Sequence, residues 1–139
     1  MSRHPSPAPA SRGATVLAAL LLTVVSAFQA ALALGAPWGR AAYGGAHRGS
    51  LPVRYRTAST ISSVAYAALA LVTLGRGPGG TTRRRILTGT SGLMAVGTLM
   101  NLASRSRLER LLWSPVAGIL AVTLLHLARR VPADQDGRR

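Results

Sequence analysis

Apolar residues run along the chain in four blocks, and charge is confined to the gaps between them. The first block, residues 14–34, lies within a stretch from Gly13 to Gly39 that holds no charged residue. Three shorter blocks follow at 57–74, 86–103 and 111–128, each bracketed by arginine: Arg56 and Arg76, Arg85 and Arg105, Arg110 and Arg129. At ~1.5 Å rise per helical residue the first block is roughly 31 Å long and the others roughly 27 Å, close to the thickness of a bilayer's hydrocarbon layer. Water-soluble helical bundles keep a charged face on every helix, and none of these blocks has one. The pattern predicts an all-α chain: an up-down antiparallel four-helix transmembrane bundle with both termini on the same side.

The segments between the blocks read as connectors. Residues 1–13 are rich in Ser, Pro and Ala and are expected to form a disordered basic tail, and 129–139 a polar one. Residues 35–56 hold Pro37, Pro52 and a set of glycines that forbid one continuous helix. Trp38, Tyr43 and Tyr55 in this loop are amphipathic rings suited to the headgroup level. Two readings stand for the loop: a segment lying on the membrane surface, or a plain connector. Residues 76–85 are a Gly/Pro turn ending in Arg83-Arg84-Arg85, and 104–110 is a tight turn. Ala31-Leu32-Ala33 after a basic start and an apolar run is also the pattern of a cleavable signal peptide. The length of the run and the helix-stopping Gly35-Ala36-Pro37 favour an uncleaved first helix.

Composition sharpens this picture. Hydrophobic residues make up 48% of the 139, and charged residues only 14%, against about a quarter in soluble domains. All 17 basic residues are arginine and three are acidic, for a net charge of +14. Because the arginines punctuate apolar runs instead of gathering on one face, they fit membrane flanks and anionic lipid headgroups, and no nucleic-acid partner is expected. Ten arginines fall in residues 1–13, 76–85 and 129–139, against seven in 35–56 and 104–110. The positive-inside rule then places a multi-pass protein in the cell membrane with both termini cytoplasmic. Without cysteine there is no thiolate nucleophile or disulfide framework.

Candidate chemistry is sparse. Gly89-Thr90-Ser91-Gly92 is a serine string of the kind rhomboid-type intramembrane proteases carry, and His126 lies on another block. The alternative for the pair is a small-residue packing face and an interfacial histidine. Small-xxx-small spacings at Ser63/Ala67, Thr88/Gly92, Ser91/Ala95 and Ser114/Gly118 suit close helix contact. Gln29, Asn101 and His126 are polar groups in or near the blocks, each expected to face a neighbouring helix or the interface. Proton-coupled transport lacks an obvious carrier, since Glu109, Asp134 and Asp136 all fall outside the blocks. His4, His47 and His126 show no ligand spacing, and no metal or other cofactor is expected. Trp38, Arg40, His47, Arg48, Arg54, Arg56 and Glu109 are candidate headgroup or partner contacts, with plain anchoring of helix ends as the alternative for the arginines and His47. Arg54 and Arg56 gain nothing from the second helix's dipole, so lipid phosphate is their expected partner.

The runs QAALALGAPWGRAAYGGAHRGSLPVRYRTAS (29–59) and MNLASRSRLERLLWSPVA (100–117) resemble a group of small four-helix bacterial integral membrane proteins of unknown function. In that group a GAPWG string leads into a GGxHxGxLP loop, and a short turn precedes a Trp-bearing last helix. The resemblance implies that Asn101, Ser104, Glu109, Arg110 and Trp113 in the last connection match the pattern. That connection and the first loop would lie on one membrane side, so Glu109 is expected to pair with Arg40, Arg48 or Arg54. The function expected is that of an integral membrane accessory or interaction subunit, with a membrane-protein partner or a second copy. A small transporter and a Ser91/His126 hydrolase are the alternatives.

Overall fold

The computed structural model describes residues 9–132. Four helices account for most of them: α1 (Pro9–Ala33), α2 (Val53–Thr73), α3 (Gly80–Leu102) and α4 (Ser114–Arg130). Two short 3-10 turns, Gly39–Ala41 and Tyr43–Gly45, sit in the first loop, and a π-helical turn, Glu109–Trp113, leads directly into α4. No strand forms among the described residues; the loop closes on itself through a single bridge between Trp38 and Gly49.

Helix stops follow the expected chemistry. Gly35 (φ +98°) and Gly75 (φ +80°) take the left-handed conformation after α1 and α2. In each case the glycine N–H and the next N–H turn back to carbonyls of the last turn: Gly35 to Leu32 and Ala36 to Ala31, then Gly75 to Val72 and Arg76 to Leu71. Helix starts differ from the sequence reading. Residues 9–13 of the expected tail already belong to α1, while residues 1–8 lie outside the described ones. Helix α2 begins at Val53, directly after Pro52, and α3 at Gly80 instead of residue 86. Arginine ends an apolar span but not a helix, because its long stem is a good helix former. The basic triplet Arg83–Arg85 therefore lies inside α3. At the other terminus α4 takes in Arg129 and Arg130, and residues 133–139 of the polar tail lie outside the described ones.

Packing proceeds by pairs. Helix α1 lies on α2, α3 on α4, and α1 on α4, whereas α2 and α3 do not form a packed pair. Ala18 and Leu22 of α1, Ala70 of α2, Leu87 and Met94 of α3, and Leu120 and Leu124 of α4 share one core. A smaller cluster of Leu32, Ala42 and Leu51 lies under the first loop, flanked by Phe28 and Tyr55. Ser11, Arg12, Arg130, Val131 and Pro132 line one hollow with Gly75 and Arg83, so both ends of the described chain lie at the same end of the structure.

Hydroxyls join the helices within each pair. Ser26 Oγ donates to the Ser63 carbonyl at 2.8 Å, and Ser63 Oγ returns a bond to the Ser26 carbonyl at 3.0 Å. Ser91 Oγ donates to the Ala121 carbonyl at 2.6 Å, tying α3 to α4. Close approach between Gly118 and Thr98 continues the α3–α4 seam. Arginines close helix ends in the same way: Arg56 Nε donates to the Ala33 carbonyl at 2.9 Å, and Arg83 donates to the carbonyls of Val72 and Thr73 at 3.0 and 2.9 Å.

Freedom from charge is not the same as apolarity. Two helical segments are long and apolar enough to cross a membrane, Ser11–Ala33 with mean hydropathy 2.2 and Glu109–Arg130 with 1.9. The expectation of four such segments is thus met by two. Ser59, Thr60, Ser62 and Ser63 lower α2, and Thr88, Thr90, Ser91, Thr98 and Asn101 lower α3.

Ser63→Ala and Ser91→Ala should each cost about 0.5–1.5 kcal/mol, one interhelical hydrogen bond's worth. Thermal melting of the detergent-purified protein checks this, and an unchanged midpoint in both variants would remove the hydroxyls as helix ties.

Candidate interaction platform at the loop end

The first loop leaves α1 and returns to α2 at the end where α3 stops and α4 starts. What it covers there is Glu109, the one acidic residue within 9–132, which is only 5% exposed. The Gly44 backbone N–H donates to Glu109 Oε1 at 2.8 Å, and the Ser104 hydroxyl donates to Oε2. Ser106 N–H donates to Ser104 Oγ at 3.1 Å, and Ser106 Oγ donates to the Arg40 carbonyl at 2.6 Å. Trp113, one helical turn beyond Glu109, donates its indole N–H to the Ala41 carbonyl at 2.8 Å. Three side chains of the α3–α4 connection thus hold the backbone of residues 40–44. A carboxylate accepting an N–H and an O–H at once makes the strongest of these ties, since bonds to a charged acceptor exceed neutral ones.

Aromatic rings fill the layer beneath. Phe28 of α1 meets Trp38 in a stacked contact with centroids 5.9 Å apart, and Trp113 in a tilted one at 4.5 Å. Tyr43 and Tyr55 are 4.7 Å apart, and the Tyr43 hydroxyl lies 3.0 Å from Oγ of the fully buried Ser59. Tyr43 takes a positive φ of 52°, an uncommon geometry for a bulky residue. Close approach fixes Gly45 as well: a Cβ there would stand 2.6 Å from Cβ of Ser106.

The expected pairing of Glu109 with a loop arginine does not form. Its oxygens are taken by Gly44 and Ser104, and among the described residues no arginine makes an ion pair with it. Arg40, Arg48 and Arg54 are exposed, where water solvates guanidinium better than a buried carboxylate could. Arg54 lies over its neighbour Tyr55, 4.6 Å from the ring centroid, and donates to the Tyr55 hydroxyl at 3.1 Å. Arg56, expected on lipid phosphate, instead caps the last carbonyl of α1. His47 packs its ring edge on Tyr55 at 5.0 Å, and its Nδ1 is buried with no hydrogen-bond partner.

Gln29 and Asn101 come together with Glu109 around a cavity of about 380 Å³ below the platform. Its other walls include Phe28, Tyr43, Tyr66, Met94 and Trp113, with Gly97 on the α3 side. Gln29 Oε1 is buried without a partner. His126 is elsewhere, exposed near the far end of α4, and Ser91 Oγ is spent on the Ala121 carbonyl. The two hydrolase candidates are not brought together. Among the described residues no group of three His, Asp or Glu side chains could hold a metal ion.

Tyr43, Gly44, Ser59 and Ser106 are the platform residues that sequence reasoning did not single out as site residues. The Ser-x-Ser spacing at 104 and 106 in the 104–110 turn is a signal that bears on Ser106; nothing in the sequence marks Tyr43, Gly44 or Ser59 as its neighbours. No protein-family model, curated protein or solved structure matches this chain.

Glu109→Ala should cost about 1–3 kcal/mol for each partner it orphans, Gly44 N–H and Ser104 Oγ, whereas Glu109→Gln keeps an acceptor and a donor in place. Charge reversal at Glu109 combined with reversal at Arg40, Arg48 or Arg54 should give no rescue. Melting midpoints of these variants in detergent test both points.

Proposed function

We propose that the chain is a multi-pass membrane protein, a transmembrane four-helix bundle that serves as an accessory or interaction subunit and presents the loop platform to a partner. The observation that carries this reading is the outward face. Leu17, Leu20 and Val24 on α1, Ile61 and Val64 on α2, Leu93 and Val96 on α3, and Val122 on α4 are all exposed. Contiguous apolar exposure on this scale marks membrane or protein contact. Charge stays at the two ends: no arginine lies between 56 and 76, 85 and 105, or 110 and 129. In the two most apolar helical segments only 28% and 39% of the spanning window is buried, while the core helix of a soluble protein hides most of itself. Ala18 and Leu22 of α1 are completely enclosed by the other helices, which supports retention of the first helix over its removal as a signal peptide.

Helices α2 and α3, less apolar than the others, suit this setting because several of their hydroxyls bond within the helix or across it. Thr60 donates to the Arg56 carbonyl, Thr73 to Leu69 and Thr98 to Met94. Such bonding lowers the cost of a hydroxyl in hydrocarbon. At the loop end an open hollow of about 390 Å³ is lined by Arg40, Arg105 and Arg107, a geometry suited to anionic headgroups or an acidic partner segment. With the arginine excess at the opposite end, the platform faces outward and both termini face the cytoplasm. Because the resemblance to the GAPWG-type membrane proteins rests on the loop and the last connection, it too centres on this platform.

The chain lacks cysteine, so single cysteines can map it. Cysteine at position 48 or 107 should react with an impermeant maleimide in intact cells, and at 78 or 84 only after permeabilisation. The protein should stay in the pellet after alkaline carbonate washing. Its release into the supernatant would overturn the reading, and inverted labelling would overturn the orientation.

A further inference from the structure

The cavity beneath the platform combines features that neither anchoring nor helix packing requires. It is bounded by all four helices and the loop, and its walls are mostly apolar. Into it face the residues Phe28, Tyr43, Tyr66 and Trp113, together with Gln29 and Glu109. Gln29 Oε1 is buried and unpartnered, and buried polar atoms in folded proteins nearly always find a partner. Glu109 is buried with no cation paired to it among the described residues, although buried charges are normally paired.

We propose that this cavity binds a small organic monocation with an apolar body, the Glu109 carboxylate supplying the counter-charge and the surrounding aromatic rings its walls. Each feature then has a use. Ring faces attract a desolvated ammonium and are the usual way proteins recognise one. Gln29 offers an acceptor for an N–H or O–H of the ligand. The volume of about 380 Å³ lies at the lower end of the ~300–1,000 Å³ range of small-molecule sites, which sets a size limit near one substituted ring. A neutral apolar ligand would leave Glu109 unpaired, and an anion would meet it at close range.

The arginines at this end do not prevent cation binding. Arg40, Arg48, Arg54, Arg105, Arg107 and Arg110 are all exposed, so ions screen them over ~8 Å, whereas Glu109 is enclosed. Helices α2 and α3 both line the cavity but are not packed against each other. This site goes beyond the membrane-subunit reading, and its test is independent of labelling and carbonate extraction.

The test uses the full chain in nanodiscs of zwitterionic phosphatidylcholine, with benzyltrimethylammonium as the probe and neopentylbenzene as its uncharged isostere. Saturation-transfer NMR and equilibrium dialysis should detect the cation on the wild-type protein, with the isostere at least about tenfold weaker. Glu109→Gln keeps an acceptor for the Gly44 N–H and reverses the Ser104 bond, the amide N–H donating to Ser104 Oγ; it should weaken the cation at least about tenfold while leaving the isostere unchanged. Gly97→Leu is the second variant: Gly97 lines the cavity and a Cβ there meets nothing within 4 Å, so leucine has room to occupy it, and all binding should vanish. Equal binding of cation and isostere, or an undiminished cation affinity in either folded variant, would overturn the proposal. If Glu109→Gln does not fold, the Gly97→Leu result decides.

Discussion

A single enclosed carboxylate organises the end of the molecule where chemistry is concentrated. Glu109 takes the Gly44 N–H and the Ser104 hydroxyl, and through them the loop after α1 is fastened to the start of α4. The loop has little regular structure of its own, forming two single 3-10 turns and one bridge. Placing a charge out of water costs several kcal/mol unless it is well satisfied. The loop backbone is therefore constrained to bring an amide to that point, and Tyr43 accepts an uncommon backbone geometry next to it. Ser106 and Trp113 follow the same plan, each binding a backbone group of the loop.

The same economy of polar groups runs through the helices. A hydroxyl or guanidinium repeatedly meets a carbonyl of the neighbouring helix, as with Ser26 and Ser63, Ser91 and Ala121, and Arg56 and Ala33. Contacts of this kind, together with close approach of small residues, tie the helices across their seams. Further hydroxyls of α2 and α3 turn back on their own helix, as Thr60, Thr73 and Thr98 do, and outwardly these helices keep Ile61, Val64, Leu93 and Val96.

Much of this was legible beforehand. Four uncharged blocks gave the four helices, and Gly35-Ala36-Pro37 marked the end of α1 correctly. The starts of α2 and α3 were misplaced, because Arg54, Arg56 and Arg83–Arg85 were read as boundaries of helices when they bound only the uncharged spans. The meeting of Glu109 with the first loop could be anticipated, but its partner could not. Opposite charges suggest a salt bridge on paper, whereas a buried acid is served as well by a fixed amide and a hydroxyl, leaving guanidinium in water. The serine string around Ser91 allowed catalysis or packing; the hydroxyl bonds the Ala121 carbonyl in a packing role, and His126 is exposed. No periodicity could reveal the cavity, since its walls come from five separate segments.

The arginine caps carry a consequence for how the chain matures. The carbonyl that ends α1 is satisfied by a side chain of α2, and those that end α2 by a side chain of α3. The first two rods are therefore finished by their successors. A nascent chain halted after α1 would leave the Ala33 oxygen without its guanidinium, so that tip is completed only when the next helix arrives.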